Sequence, residues 1–243
     1  MTSVRNRYGQ PVGPPVAGWT ARRRPPATPM PGRFCRLEPF DAVRHGPDLY
    51  AAHASAPDDR DWTYLPDEKP AGREAFADWC AGLAASTDPM HHAIIDSQTG
   101  RVVGSVAFLH IEPANGTIEV GAVNFSPLLQ RHAAGTEALF LMMRRAFDEL
   151  GYRRFEWKCD ALNAPSRAAA LRYGFQYEGI FRQAVVVKGR TRDTAWYSVT
   201  DTEWPALRGS FEQWLSPGNF DQDGRQVERL GKIRERMMLP RAG

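Results

Sequence analysis

The chain of 243 residues predicts a mixed α/β fold, α and β elements around one mostly antiparallel sheet of about seven strands flanked by helices. Three observations carry this. A meander of alternating segments, His91 to Asp96, Val102 to Ile111 and Thr117 to Phe125, is joined by turns at Gln98-Thr99-Gly100 and Asn115-Gly116, the second a strong hairpin signal. A small-residue turn at Ala133-Ala134-Gly135 then opens an amphipathic helix, Gly135 to Leu150, in which Leu139, Met142, Met143 and Phe147 recur at core spacing. After it come a strand from Arg154 to Cys159, a helix from Ala164 to Tyr173, and two strands, Tyr177 to Val187 and Thr194 to Thr200.

Upstream of the meander, Phe34 to Leu37 reads as a first strand. Helical periodicity covers Asp41 to Ala54 and Ala71 to Ser86, the latter with Phe76, Trp79, Cys80 and Leu83 on one face. Residues 1–31 differ in kind. They are rich in proline, carry Arg5, Arg7 and Arg22 to Arg24, and lack hydrophobic periodicity, which predicts an arm extended over the surface. Arginines in such an arm attract phosphate or RNA, or are simply solvated, and the second reading is the simpler one. The domain proper spans residues 32–215. Beyond it Val227, Leu230, Ile233 and Met237 recur at helical spacing, so residues 216–243 predict a tail helix, docked on the domain or joining two copies as a homodimer.

Composition bounds the function. Hydrophobic residues at 42% and charged residues at 24% are the balance of an ordinary soluble domain. A net charge of +3 gives little reason to expect nucleic acid as a partner. Cys35, Cys80 and Cys159 form an odd set without C-x-x-C spacing, which points to reduced thiols in a cytoplasmic protein rather than a disulfide framework or zinc site. No apolar run reaches the roughly 18 residues of a membrane span, and the N-terminus has no signal-like core, so no membrane is expected. His91, His92 and His110 lie on strands that send successive side chains to opposite faces, and Asp221-Gln222-Asp223-Gly224 lacks the later ligands of a calcium loop; no metal is expected.

The chemistry lies in two motifs. The first amides of a helix have no internal acceptor and carry roughly half a positive charge, and the small side chains of Ala133, Ala134 and Gly135 let a diphosphate approach them. Gln130, Ala133 and Gly135 resemble the Q/R-x-x-G-x-G/A phosphate loop of the GNAT superfamily of N-acetyltransferases. Asn163, Ser166 and Gly174-Phe175 are similar to the N-x-x-S…G-F element of its RimJ/RimL-like branch. The resemblance covers Gly32 to Glu203. One departure is Ala133, which stands where the loop has its middle glycine.

This resemblance implies a GNAT-like splayed sheet, acetyl-CoA as co-substrate, and acetyl transfer to a primary amine by direct attack in a ternary complex. The diphosphate is expected on the amides of Arg131, His132, Ala133, Ala134, Gly135 and Thr136, beside Gln130. The pantetheine arm is expected as an added strand between the segments ending at Phe125 and Cys159, flanked by Asn163 and Arg167, with the Val123 amide polarising the thioester carbonyl. Arg131 and Arg167 read equally well as solvated charges, and His132 as facing water. Transfer also needs a base and an acid. Glu119 sits where many family members keep the glutamate base; otherwise it is a strand carboxylate facing solvent. Ser166 matches the serine that protonates the departing thiolate in this branch, although Asn163 to Ser166 is also an ordinary helix start, with Asn163 as cap and Pro165 in the first turn. Where many relatives keep an acidic tyrosine this chain has Ala170, leaving Tyr173 or Tyr177 as substitutes. The second glutamate of some branch members is missing from Gln183-Ala184-Val185-Val186.

The acceptor is expected near Ser55 to Pro70, where Asp58, Asp59, Asp61, Asp67 and Glu68 attract a cationic amine and Trp62 and Tyr64 hold its apolar part. The plain alternative is a polar loop stapled by buried aromatics. The acceptor is an N-terminal peptide amine on the branch pattern, or a small-molecule amine such as an aminosugar, polyamine or amino acid. Two other classes compete: a CoA-binding regulatory or interaction module without turnover, and an RNA-binding protein acting through the arm, whose affinity would depend on salt.

Overall fold

The computed structural model describes residues 3–238. A short hairpin, β1 (Val4–Arg5) and β2 (Pro11–Val12), precedes an extended run to β3 (Met30–Pro31). Then follow β4 (Cys35–Pro39), α1 (Ala42–Ala54), α2 (Gly72–Ala85), β5 (Met90–Asp96), β6 (Val102–Glu112), β7 (Thr117–Phe125) and α3 (Ala133–Arg144), which ends in a π-helical turn over Arg145–Glu149. The chain continues through β8 (Arg154–Asp160), α4 (Ala164–Arg172), β9 (Gln176–Val187), β10 (Arg190–Thr200), α5 (Trp204–Leu215) and α6 (Leu230–Met238).

The main sheet has eight strands, ordered β3-β4-β5-β6-β7-β8-β10-β9. The count exceeds the expected seven because Met30 and Pro31 of the arm pair with Leu37 and Arg36; two residues carry no alternation that a sequence pattern can register. Every neighbouring pair is antiparallel except β7 and β8. Parallel neighbours need a crossover, and α3 supplies it.

Two cores cover opposite faces. The larger joins Ile118, Val120, Phe155 and Trp157 of the sheet to Leu139, Met142, Met143 and Phe147 of α3 and to Trp204, Leu207 and Phe211 of α5. The α5 stripe has helical spacing, although no helix was expected over Trp204–Leu215. The smaller core lies under α1 and α2, where Leu49, Trp62, Phe76, Cys80 and Leu83 meet Ala93, Ile95 and Val102. Asp41 caps α1 by accepting the Arg44 amide.

Glu137 ties α3 to β4. This buried carboxylate accepts the amides of Arg33 at 2.8 Å, Phe34 at 2.6 Å and Cys35 at 2.8 Å. The arm is packed: Trp19 donates its indole N–H to the Ala114 carbonyl at 2.9 Å, Arg22 stacks 4.4 Å over the same ring, and Arg145 donates to Thr28 and to the Pro29 carbonyl. In the tail Leu230 and Ile233 are buried, whereas Val227 precedes the helix and is exposed. Among the described residues no helix is long and apolar enough to cross a membrane.

Burial holds the imidazoles of His53, His91 and His92 down at about 4, from an ordinary 6.5. The unfolded chain therefore takes up protons before the folded one, so stability should be fully present above pH 6.5 and decline as pH falls from 6.5 towards 4. Urea unfolding across that window measures the decline; a level profile would mean the three rings are solvated in the fold.

Candidate functional site

The site begins where β7 and β8 part. Their ladder pairs Thr117 with Arg154, Ile118 with Phe155, Glu119 with Glu156 and Val120 with Trp157, and then ends although both strands continue. On the other side of β7 the register with β6 shifts, so that Ala122 and Val123 together oppose Val106. Ala122 takes a left-handed backbone, φ +46°. Such a bulge removes residues from the ladder and bends the strand, which places Val123 in the bulged segment and leaves a slot between residues 121–125 and 158–160.

One end of the slot is the turn into α3. Ser126 organises it, its hydroxyl donating to the Val103 carbonyl at 2.6 Å while its own carbonyl accepts the amides of Leu129 and Gln130. Arg131 is left-handed, φ +61°, and His132 is the N-cap without a side-chain capping bond. Among the described residues the amides of Arg131, Ala133 and Ala134 meet no acceptor, and the Arg131 and His132 side chains are exposed. Gly135 has a different role from the one expected. A Cβ there would lie 3.0 Å from the Phe125 ring, so the glycine admits that ring against the helix and does not make room for a ligand. Arg172, which the sequence reading missed, donates to the Thr136 hydroxyl at 3.0 Å and stacks by Tyr173 and Trp214, bringing a guanidinium to the same helix start. Asn124 is 4% exposed, and neither atom of its side-chain amide has a partner. Free amides at a helix start and an orphaned amide beside the slot fit an extended, phosphorylated ligand.

The charged groups lie on the sheet face opposite α3. Glu119 is buried, and its Oε2 is 2.7 Å from both Lys158 Nζ and His110 Nδ1. Lys158 also reaches Glu156 at 2.9 Å and lies 4.0 Å over the Trp196 ring. The row continues through Arg154, which bridges Glu156 and Glu178; its hydrogen bond holds the Glu178 carboxyl below its ordinary range. Glu119 is therefore a partnered, enclosed carboxylate rather than one facing solvent.

On α4, Asn163 accepts the Ser166 amide at 3.1 Å, the capping role that its spacing allows. Ser166 Oγ accepts the Trp157 indole N–H at 3.0 Å, and burial raises the proton affinity of the Cys159 thiol. Arg167 donates to the Tyr197 hydroxyl at 3.1 Å and to the Ala161 carbonyl at 3.2 Å. Tyr173 is a core residue, and burial pushes its phenol above the ordinary range; Tyr177 is exposed.

The acidic segment differs most from expectation. Trp62 is 3% exposed and packs on Trp79 and His53, so its ring is a core staple that cannot stack on an acceptor. Asp58 pairs with Arg60, Asp59 with Lys69 and Glu68 with Lys188, while Asp67 accepts the Trp79 indole N–H; these partners neutralise much of the expected field. Asp61 and Tyr64 do approach the slot. Asp61 accepts from Gln130 Nε2 at 3.0 Å, Tyr64 donates to the Leu162 carbonyl at 3.2 Å, and Lys188 at the β9–β10 turn donates to the Trp62 carbonyl at 2.7 Å. The segment is thus tied to the turn into α3, the β8–α4 loop and the terminal hairpin.

A family model described as an acetyltransferase (GNAT) domain matches residues 36–176. A crystal structure of a GCN5-related N-acetyltransferase from Brucella melitensis is 47% identical, covers 90% of this chain and 100% of its own, and superposes with a TM-score of 0.89. A probable acetyltransferase of the GNAT family from Chromobacterium violaceum is 42% identical over 81% of this chain and 98% of its own, with a TM-score of 0.75. An uncharacterized N-acetyltransferase, p20, of Bacillus licheniformis is 30% identical over 115 residues; the match takes in 46% of this chain and 62% of that relative.

A carboxylate placed among the free amides should repel phosphate without harming the helix, whose N-terminus favours negative charge. Ala133→Asp should therefore keep the unfolding midpoint while weakening CoA binding roughly 10- to 100-fold, by calorimetry. Unchanged affinity in the folded variant would remove this turn from the site.

Proposed function

The chain belongs to the GNAT acetyltransferase family, and from that membership we propose that it moves an acetyl group from acetyl-CoA to a primary amine by direct attack in a ternary complex. The observation that carries the reading is the slot between β7 and β8, with the unpaired amides of Arg131, Ala133 and Ala134 at one end and the Glu119 cluster on one face. Acetyl-CoA would supply the activated thioester and a thiolate leaving group. The amides of Arg131, Ala133 and Ala134, with Arg172 beside them, hold its diphosphate, those of His132 and Gly135 being taken by the Leu129 and His132 carbonyls, and the exposed strand edges past Val120 and Trp157 hold its extended arm. The Val123 amide, in the bulge, is the donor for the carbonyl oxygen. Glu119 belongs to the group that accepts the amine proton. Ser166 is the proton source for the departing thiolate: the indole N–H of Trp157 on its Oγ supports the charge left behind.

The acceptor we read as a peptide N-terminus on the RimJ/RimL-like pattern of Asn163, Ser166 and Gly174-Phe175, with a small-molecule amine as the alternative. Asp61 and Tyr64 are the acidic-segment residues left at the slot to meet it. A second reading, a CoA-binding module without turnover, draws on Ala170 and on the burial of Tyr173.

Thiol release from acetyl-CoA across panels of N-terminal peptides and small amines separates these readings: amine-dependent release supports the transferase, and CoA binding without release with any amine supports the module. Glu119→Gln should lower turnover by roughly two to four powers of ten while CoA affinity holds. The deficit should narrow at high pH, where the amine loses its proton unaided. A constant ratio across pH would mark Glu119 as structural.

A further inference from the structure

β6 is bulged close to Glu119. Leu109 pairs with Glu119 and Glu112 with Thr117, so His110 and Ile111 together oppose Ile118, and His110 adopts a left-handed backbone with φ +46°. A residue with a Cβ stays in that conformation only where its surroundings hold it. Asp88 does so, accepting the His110 amide at 2.9 Å on one oxygen and the Ile111 amide at 3.1 Å on the other. Behind Asp88 stands the arm: Arg24 lies 3.7 Å from its carboxylate and donates to the Thr87 carbonyl at 2.8 Å. The result is the placement of one imidazole. His110 Nδ1 is 2.7 Å from Glu119 Oε2, and the His110 side chain is 64% exposed while that of Glu119 is 5% exposed.

A carboxylate on one ring nitrogen fixes the proton there, leaves the other nitrogen as a free acceptor, and stabilises the imidazolium that forms. Oε2 of Glu119 is occupied by two donors, and the carboxylate is nearly closed to solvent; Nε2 of His110 is open. We infer that His110 is a catalytic residue of the acetyl transfer proposed above, accepting the amine's proton at Nε2, and that Glu119 is its positioning residue. This rests on that proposed function. As the amine nitrogen bonds to the thioester carbonyl carbon, the C–S bond breaks. The nitrogen's proton passes to Nε2, the thiolate takes a proton from Ser166 or water, and the exposed imidazolium returns its proton to solvent, which also restores Ser166. The charged groups around the couple are Glu119 from β7, Lys158 and Glu156 from β8, and Asp88 with Arg24 from the segment before β5 and the arm.

His110→Asn tests this, because asparagine tolerates the left-handed backbone and can hydrogen-bond Glu119 but cannot take the proton. Turnover should fall by roughly two to four powers of ten with CoA affinity unchanged, and the deficit should narrow at high pH, where the amine loses its proton unaided. In His110→Gly, which relaxes the backbone and opens a hole, added imidazole should restore part of the rate. Turnover of His110→Asn within about threefold of wild type would overturn the inference and leave Glu119 as the sole base. A readout independent of turnover is the nitrogen-15 spectrum of the imidazole: the neutral ring should carry its proton on Nδ1, and a proton on Nε2 would overturn the pairing. If no amine elicits thiol release from the wild type, the transferase reading fails, and the tautomer alone decides the His110–Glu119 couple.

Discussion

The ladder between β7 and β8 stops after Val120 and Trp157, and the rest of the site depends on where it stops. Two parallel strands joined by a helix have no reason to separate while their backbone groups stay in register. The bulge at Ala122 supplies that reason, bending β7 just as it leaves Gly121. Since α3 is the crossover between these strands, its first turn necessarily lies at the mouth of the gap, so one topological fact brings free amides and unpaired strand edges to the same ligand. Glu137 then fixes the helix against β4 through three amides, and Gly135 lets Phe125 close the joint.

On the other face, cations and carboxylates are arranged in a chain rather than in isolated pairs. Lys158 bridges Glu119 and Glu156, and Arg154 bridges Glu156 and Glu178. Burying such groups costs several kcal/mol per ion unless each is paired, roughly by continuum and mutational measures, so the chain specifies the geometry around Glu119 more than it stabilises the fold. The arm takes part at one remove: Arg24 braces Asp88, and Asp88 braces the bulge that carries His110.

The elements legible in the sequence were those whose hydrophobic period runs for two turns or several alternations. The meander, α1 to α4 and the terminal hairpin fall within a few residues of their predicted limits, because one face of each packs on a core, except in β9, which is mostly exposed and is held by its pairing with β10. β3 is too short to carry a period. The parts of the site that escaped notice depend on backbone conformation and on through-space pairing. Nothing in the local pattern of Leu109 to Glu112 or Gly121 to Asn124 marks a left-handed residue, so neither the His110–Glu119 contact nor the end of the β7–β8 ladder could be foreseen. Arg172 looked like an ordinary residue at a helix end. Trp62 and the aspartates around it misled for a different reason: composition reveals charge but not its partners, and Arg60, Lys69 and Lys188 lie close enough to pair with these carboxylates.

Amide hydrogen exchange with and without saturating CoA tests the slot most directly. The account predicts slowed exchange at residues 121–125, 131–135 and 158–160 together, with α1 and α2 little changed. Tight CoA binding that leaves residues 121–125 and 158–160 exchanging as in the free protein would contradict it, since the ligand would then lie outside the gap that the bulge opens.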